Sequence, residues 1–239
     1  MLDIEYTLGL LAFVTSAIAG VIGFGGGMLL IVFLPMFLSP NLIIPVHAIT
    51  QLASNSSRMV FSFKDVKWGL FPKFLTGSMV GVLLFGYLLS NIPTEHVPVG
   101  IGTYILLNLW SQRFSTLFSQ YESYYFIGLL QTGLGLIVGT TGPLSLAVLT
   151  KDLRSKDEII ATSSMFMTVS HLFKIPVFWV IGASLFENTS LLVLMITGSI
   201  LGSLVGTKMR RVANNEMLIL GIKILMSLMA LRMIMVVVL

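Results

Sequence analysis

The chain has 239 residues with 14 Lys and Arg against 10 Asp and Glu, so charged side chains make up 10%, where a soluble domain carries about 25%. Hydrophobic residues reach 56% and mean hydropathy is +0.96; too few charges exist to coat a soluble core, and lipid has to be the solvent for most of the surface. A soluble enzyme or cytosolic binding module is excluded, and the net charge of +4, concentrated in loops, suits membrane orientation rather than nucleic-acid binding.

Long unbroken apolar runs, without the alternation in segments of about ten residues that a barrel shows, predict an all-α polytopic membrane protein. There is no cysteine, which removes disulfides, thiol nucleophiles and Cys-ligated metals. The first run, 4 to 22, contains Ala17-Ile18-Ala19, which has the look of a cleavage site. Asp3 and Glu5 stand where a signal peptide has Lys or Arg, so a retained membrane helix is expected. A glycine cluster, Gly23-Phe24-Gly25-Gly26-Gly27, interrupts the chain before runs at 27 to 38, 45 to 63, 69 to 90 and 97 to 111. A second set follows at 123 to 138, 142 to 150, 158 to 181, 189 to 208 and 215 to 239. The pieces 27 to 38 and 142 to 150 are shorter than the roughly 20 residues of a full crossing and read as half-helices or re-entrant arms.

The two sets of five read as copies within one transmembrane domain spanning 1 to 239, repeat one covering about 4 to 111 and repeat two about 123 to 239. Thr76-Gly77-Ser78 with Gly81 and Gly86 recurs as Thr197-Gly198-Ser199 with Gly202 and Gly206. The first glycine cluster has a degenerate counterpart in Val138-Gly139-Thr140-Thr141-Gly142, and 48 to 63 aligns without gaps on 161 to 176, setting Arg58 opposite His171. Lys64, Lys67 and Lys73 follow the third piece of the first half. In the second half the cations occupy the other loops, as Lys151, Arg154, Lys156, Lys208, Arg210 and Arg211, and the loop at 182 to 188 has only Glu187. Corresponding loops therefore face opposite sides under the positive-inside rule, which makes the repeats inverted. Arg113 then lies inside and both chain ends outside.

Inverted repeats with glycine-broken helices place a substrate near the midplane, between half-helix ends. Unwound backbone at Gly25, Gly26 and Gly27 exposes N–H groups and a positive dipole end, which suit an anion. Thr140, Thr141 and Gly142, followed by Pro143 as a first-turn residue, repeat that role. The alternative is that these glycines serve only close helix packing. On the third piece Gln51, Ser54, Asn55 and Arg58 share one helical face; its counterpart carries Ser164, Met167, Thr168 and His171, with Ser163 beside it. Four polar residues on one membrane face, with a cation, suggest a wet cavity. Arg58 either binds an oxoanion bidentately or snorkels toward the lysine-rich loop. His171 hydrogen-bonds substrate, carries a proton, or makes a core contact. Lys174 is read as snorkelling outward, Gln131 as lining a pathway, and Lys223 and Arg232 as interfacial or packing residues.

Glu occurs in the predicted runs only at their outermost ends, as Glu5, Glu158 and Glu216, and no Asp or Glu falls in the interior of a predicted span, so coupling would rest on His171, on Na⁺ held by hydroxyls and carbonyls, or on the substrate's own charge. No P-loop, H-E-x-x-H or G-x-S-x-G motif occurs, and neither enzymatic activity nor a metal or cofactor is expected.

Gly20-x-x-Gly23-Phe24-Gly25-Gly26-Gly27, the AITQLASNSSRMVFSF segment, the TGSxxG element and the weaker second copy together resemble the TauE/SafE sulfite exporter family of the 4-toluene sulfonate uptake permease class. The resemblance implies a multi-pass protein of the bacterial inner (cytoplasmic) membrane. It also implies movement of small sulfur-containing anions such as sulfite, thiosulfate, sulfoacetate or other organosulfonates, often as export. A secondary transporter working by alternating access is expected, with a passive anion channel and a non-transporting membrane scaffold as alternatives. Proton or Na⁺ coupling and a homodimer are further possibilities, and Gly77 and Gly81 could serve either a dimer or internal packing.

Overall fold

In a computed structural model, residues 2–89, 94–117, 123–182, 188–210 and 215–238 are described; Glu187, Arg211 and residues 91 to 93 of the loop at 91 to 96 lie outside them. Among the described residues every regular element is helical. The order is α1 (Leu2–Ile22), α2 (Gly26–Phe33, prolonged by a tight turn at Leu34–Met36), α3 (Pro40–Phe61), α4 (Phe71–Leu89) and α5 (Val97–Trp110), then a short α6 (Gln112–Leu117). The second set is α7 (Tyr124–Val138), α8 (Gly142–Asp152), α9 (Lys156–Val180), α10 (Thr189–Met209) and α11 (Asn215–Val238).

Ten of these helices coincide with the ten predicted pieces, and α6 is additional. The largest boundary difference is at α3, which begins at Pro40 rather than at 45 and runs through Pro45. A proline in the first turn sacrifices no helical hydrogen bond, and the interior one removes only a single ladder bond. At α9 the Ser155 hydroxyl accepts from the Glu158 N–H at 3.5 Å, with Asp157 and Glu158 in the first turn against the dipole.

Stretches long and apolar enough to cross a membrane occur at Asp3–Ile22, Trp68–Leu89, Thr189–Met209 and Leu220–Val237. Helices α3 and α9 are as long, at 22 and 25 residues, yet are studded with polar side chains. Their position explains this. They pack on each other at the centre, α1 pairs with α10 against α3, α4 pairs with α7 against α9, and α5 pairs with α11. Polar groups are consequently inside, with Thr50, Ser54, Ser170, His171 and Lys174 fully buried, while Leu83, Val180 and Val236 are more than 70% exposed. In water that arrangement would be unstable, and in hydrocarbon it is the expected one.

The small-residue stripes set the closest approaches. Gly198, Gly202 and Gly206 of α10 lie against the backbone of Gly9, Phe13 and Ala17 of α1, and Gly77 and Gly81 of α4 lie against Tyr125 and Leu129 of α7. A Cβ at any of the five would collide with a backbone carbonyl, so these stripes serve packing within one chain.

Candidate functional site

Both helix breaks have the same construction. Helix α1 stops at Ile22, and Gly23 (φ +99°) and Gly25 (φ +85°) turn the chain through the left-handed region before α2 starts at Gly26. Helix α7 stops at Val138, and Gly139 (φ +72°) turns it before α8 starts at Gly142 with Pro143 next. L-residues pay a steric cost in that region, which accounts for glycine at the turning positions.

The breaks differ in how their helix starts are satisfied. No side chain caps the start of α2, whose first-turn N–H groups have no partner within the helix. At α8 the Gln131 Oε1 accepts from the Ser145 N–H at 3.2 Å, and the Thr141 hydroxyl donates to the Gln131 carbonyl at 2.6 Å. Gln131 also donates toward Ser170 Oγ at 3.3 Å. It therefore ties α7 to α8 and α9 and stands outside the lining of the small cavity between the breaks.

A small cavity of about 30 Å³ lies between the breaks and the polar faces of α3 and α9. It is bordered by nine predicted site residues: Gly25, Gly26 and Gly27, then Gln51, Asn55 and Arg58, and across from them Thr140, Gly142 and Ser163. That volume holds about two water molecules. Arg58 is 3% exposed and does not snorkel. Its two terminal nitrogens donate to Asn55 Oδ1 at 3.2 Å, Ser164 Oγ at 3.5 Å and Ser54 Oγ at 3.0 Å. All three partners are neutral, and among the described residues no carboxylate pairs with it. The Arg58 Nε–H and the Gln51 Nε2 amide lack any partner. Leaving a buried donor unmade costs roughly 1–3 kcal/mol, so these groups are poised for acceptor oxygens.

The other predicted residues stand one layer back. Ser54 meets Ser203 of α10 at 3.0 Å and supports Arg58, and Ser164 donates to the Ile160 carbonyl at 2.8 Å while accepting from Arg58. Thr168, half-buried, donates to the Ser164 carbonyl at 2.8 Å, and Thr141 is engaged at the second break. His171 is fully buried beside Lys174, outside the cavity lining.

Three positions were missed or misjudged in the sequence. His47 is fully buried and donates from Nε2 to the Gly27 carbonyl at 2.9 Å; it lies four residues before Gln51, so the polar face already extended to it. Lys174 is fully buried and donates to the Gly139 carbonyl at 2.6 Å, which corrects the snorkelling expectation. Its position near the helix end gave no sign of this, because α7 and α8 close over it. Arg210, read as a loop cation, is buried, with Nε donating to the Gly20 carbonyl at 3.0 Å and Asp157 paired at 2.9 Å. A second, wider cleft of about 340 Å³ shares Phe24, Gly25, Met28 and Pro143 with the small cavity and is walled by Asn108 and Lys223. Lys223 stands at the edge of this mostly apolar cleft.

A lipid-facing helical shell encloses a buried guanidinium without a carboxylate partner and an uncapped helix start. Residues 8–233 match the family model described as Sulfite exporter TauE/SafE, and the chain belongs to that family of membrane transporters. No curated protein and no solved structure matches it.

Proposed function

We propose that the protein is a secondary transporter that exports small sulfur-containing anions, sulfite, thiosulfate, sulfoacetate or a related organosulfonate, across the bacterial inner membrane by alternating access. The observation that carries this reading is Arg58: a buried cation with neutral partners only, with a spare Nε–H donor and the unpartnered Gln51 amide beside it, facing an uncapped helix start. A tetrahedral or pyramidal sulfur oxyanion offers three outward oxygens, which match the Arg58 Nε–H, the Gln51 amide and the first-turn N–H groups of α2. The small cavity is too tight for such an anion, so binding requires the breaks and the polar faces to separate, and the wider cleft at Gly25 and Pro143 gives an approach.

Inverted repeats account for the packing. The α1 to α10 pairing is the counterpart of the α7 to α4 pairing, and the central α3 to α9 contact and the α5 to α11 contact each join equivalent helices. The cations fit the same scheme. Lys67 pairs with Glu158 at 2.5 Å and its N–H donates to the Thr162 hydroxyl at 3.0 Å, while Arg210 pairs with Asp157. The lysine-rich loop of the first half thereby meets the start of α9 and the end of α10 at one end, as oppositely oriented copies require.

The test is ligand-induced thermal stabilisation of purified protein against sulfite, thiosulfate, sulfate, sulfoacetate, taurine, acetate and chloride, with Arg58→Ala and Arg58→Lys alongside. A binding anion at about 100 times its Kd stabilises the wild type by about 2.7 kcal/mol. Arg58→Ala raises Kd by roughly 10- to 150-fold, about 1.5–3 kcal/mol, and Arg58→Lys recovers part of it. Stabilisation by no sulfur anion, or by the same anion equally in wild type and Arg58→Ala, would sink this reading.

A further inference from the structure

Behind the cavity, α3 and α9 bring together three ionisable side chains that the anion site does not use. Lys174 donates to the Gly139 carbonyl at 2.6 Å and lies 3.4 Å from His171 Nδ1. His171 and His47 face each other edge to face with ring centroids 5.5 Å apart. His47 Nε2, in turn, donates to the Gly27 carbonyl at 2.9 Å. All three are fully buried, and the two ring nitrogens at the imidazole–imidazole contact, His171 Nε2 and His47 Nδ1, have no partner.

The hydrogen bonding dictates the tautomers. His47 must carry its proton on Nε2 to donate to a carbonyl, which leaves Nδ1 a bare acceptor. With Lys174 donating to His171 Nδ1, His171 carries its proton on Nε2, an orphan donor. The orphan donor and the orphan acceptor belong to two rings in edge-to-face contact, in the middle of a chain of polar groups that runs from the carbonyl of one helix break to that of the other. Buried groups left unpaired in this way are costly, and ionisable residues at membrane depth are retained for a task rather than for stability.

Among the described residues no other charged side chain bonds to the cluster, and the turn at Thr94–His96 that packs on α3 carries Glu95 and His96. Helix α2 has no ionisable side chain, α7 has only Tyr124 and Tyr125 at its start, and α8 has Lys151 and Asp152 at its end. Helix α4 contributes Lys73 in its first turn and the outward Tyr87, α1 contributes Asp3, Glu5 and Tyr6 at its start, and α10 ends with Lys208 before Arg210. On α3 itself Arg58 stands three turns further along, and α9 begins with Lys156, Asp157 and Glu158.

We infer that His47, His171 and Lys174 form a proton-binding site whose occupancy is linked to the anion site through the Gly27 and Gly139 carbonyls. The linkage rests on the transport reading above; the proton site itself does not. An anion held at Arg58 and the start of α2 favours an extra proton one layer behind it, so proton and anion are bound together. A dianion accompanied by one proton still leaves as a net negative charge, and an inside-negative potential continues to drive it outward.

The cluster is tested first without any anion. Isotope-labelled histidine spectra of the solubilised protein contain three imidazoles, and His96, exposed at the start of α5, is the internal reference. Between about pH 5 and pH 9 the His47 and His171 nitrogen resonances move together as the cluster gains or loses its proton, and Lys174→Met abolishes that movement. His47 and His171 resonances that stay constant across this range overturn the proton site. The linkage is tested by calorimetry with thiosulfate, which does not itself titrate near neutrality, in two buffers of different ionisation heat. Wild type takes up about one proton per anion, and His171→Gln and Lys174→Met bind thiosulfate with an uptake near zero. Equal proton uptake in wild type and both variants overturns the linkage. If thiosulfate binds neither wild type nor variants, the linkage falls with the transport reading, and the spectra alone decide the proton site. Should Lys174→Met fail to fold, His171→Gln and the wild-type spectra still decide the outcome.

Discussion

Two neighbouring glycines at the first break carry different physical duties, and a methyl group added to each separates them. At Gly25 nothing lies within 4 Å of an added Cβ, but φ is +85°; Gly25→Ala is expected to cost about 1 kcal/mol through backbone strain alone. At Gly27 the backbone is ordinary, and an added Cβ would stand 2.9 Å from the Gln51 Oε1. Gly27→Ala pushes the Gln51 amide away from the cavity, so anion affinity falls about tenfold, the worth of one charge-assisted hydrogen bond. Melting temperature and thiosulfate Kd, measured side by side, check both. A larger affinity loss in Gly25→Ala than in Gly27→Ala would contradict this division of labour.

Between helices, backbone contact at the glycine stripes leaves no room for a side chain. Gly202→Leu places a branched side chain against the Phe13 carbonyl and forces α1 and α10 apart, and overpacking of this kind costs several kcal/mol. Loss of the folded, monodisperse protein on size-exclusion chromatography is the expected result. Gly100 on α5 is the contrast, because nothing approaches its Cβ position. Gly100→Ala should stabilise by about 0.5–1 kcal/mol through helix propensity, read as a small rise in melting temperature. Equal tolerance of both substitutions would mean that the α1 to α10 seam is not packed as described.

Across the whole molecule, the sidedness of the loops is the property on which the proposed alternating access depends. The chain has no cysteine, so single cysteines report accessibility without background. Inverted copies predict that Lys64→Cys and Arg154→Cys react with an impermeant maleimide only from the cytoplasmic side, and Glu95→Cys and Asn188→Cys only from the other. Lys64 and Asn188 stand at corresponding ends of α3 and α9, so finding both on one side would refute inversion. The Arg210 to Asp157 pair belongs to this scale as well, because it fastens α10 and α1 to the start of α9. Asp157→Asn leaves a buried guanidinium short of its counter-charge; because Asp157 itself is half exposed, the loss is about 1–2 kcal/mol, measurable as a lower melting temperature.

Sequence by itself determined the helical membrane class and ten of the eleven helices, because hydropathy and glycine or proline punctuation act locally. It also identified Arg58, Gln51 and Asn55 as one face, since a helical period needs no partner to be visible. It could not distinguish Lys174, buried under Gly139, from a lysine reaching for water, nor Arg210 from an ordinary loop cation. Nor could it separate the first break, left uncapped, from the second, which Gln131 closes from another helix. These differences arise from contacts between segments tens to nearly two hundred residues apart. Burial and hydrogen-bond satisfaction belong to the packed molecule, and only the tertiary structure could decide them.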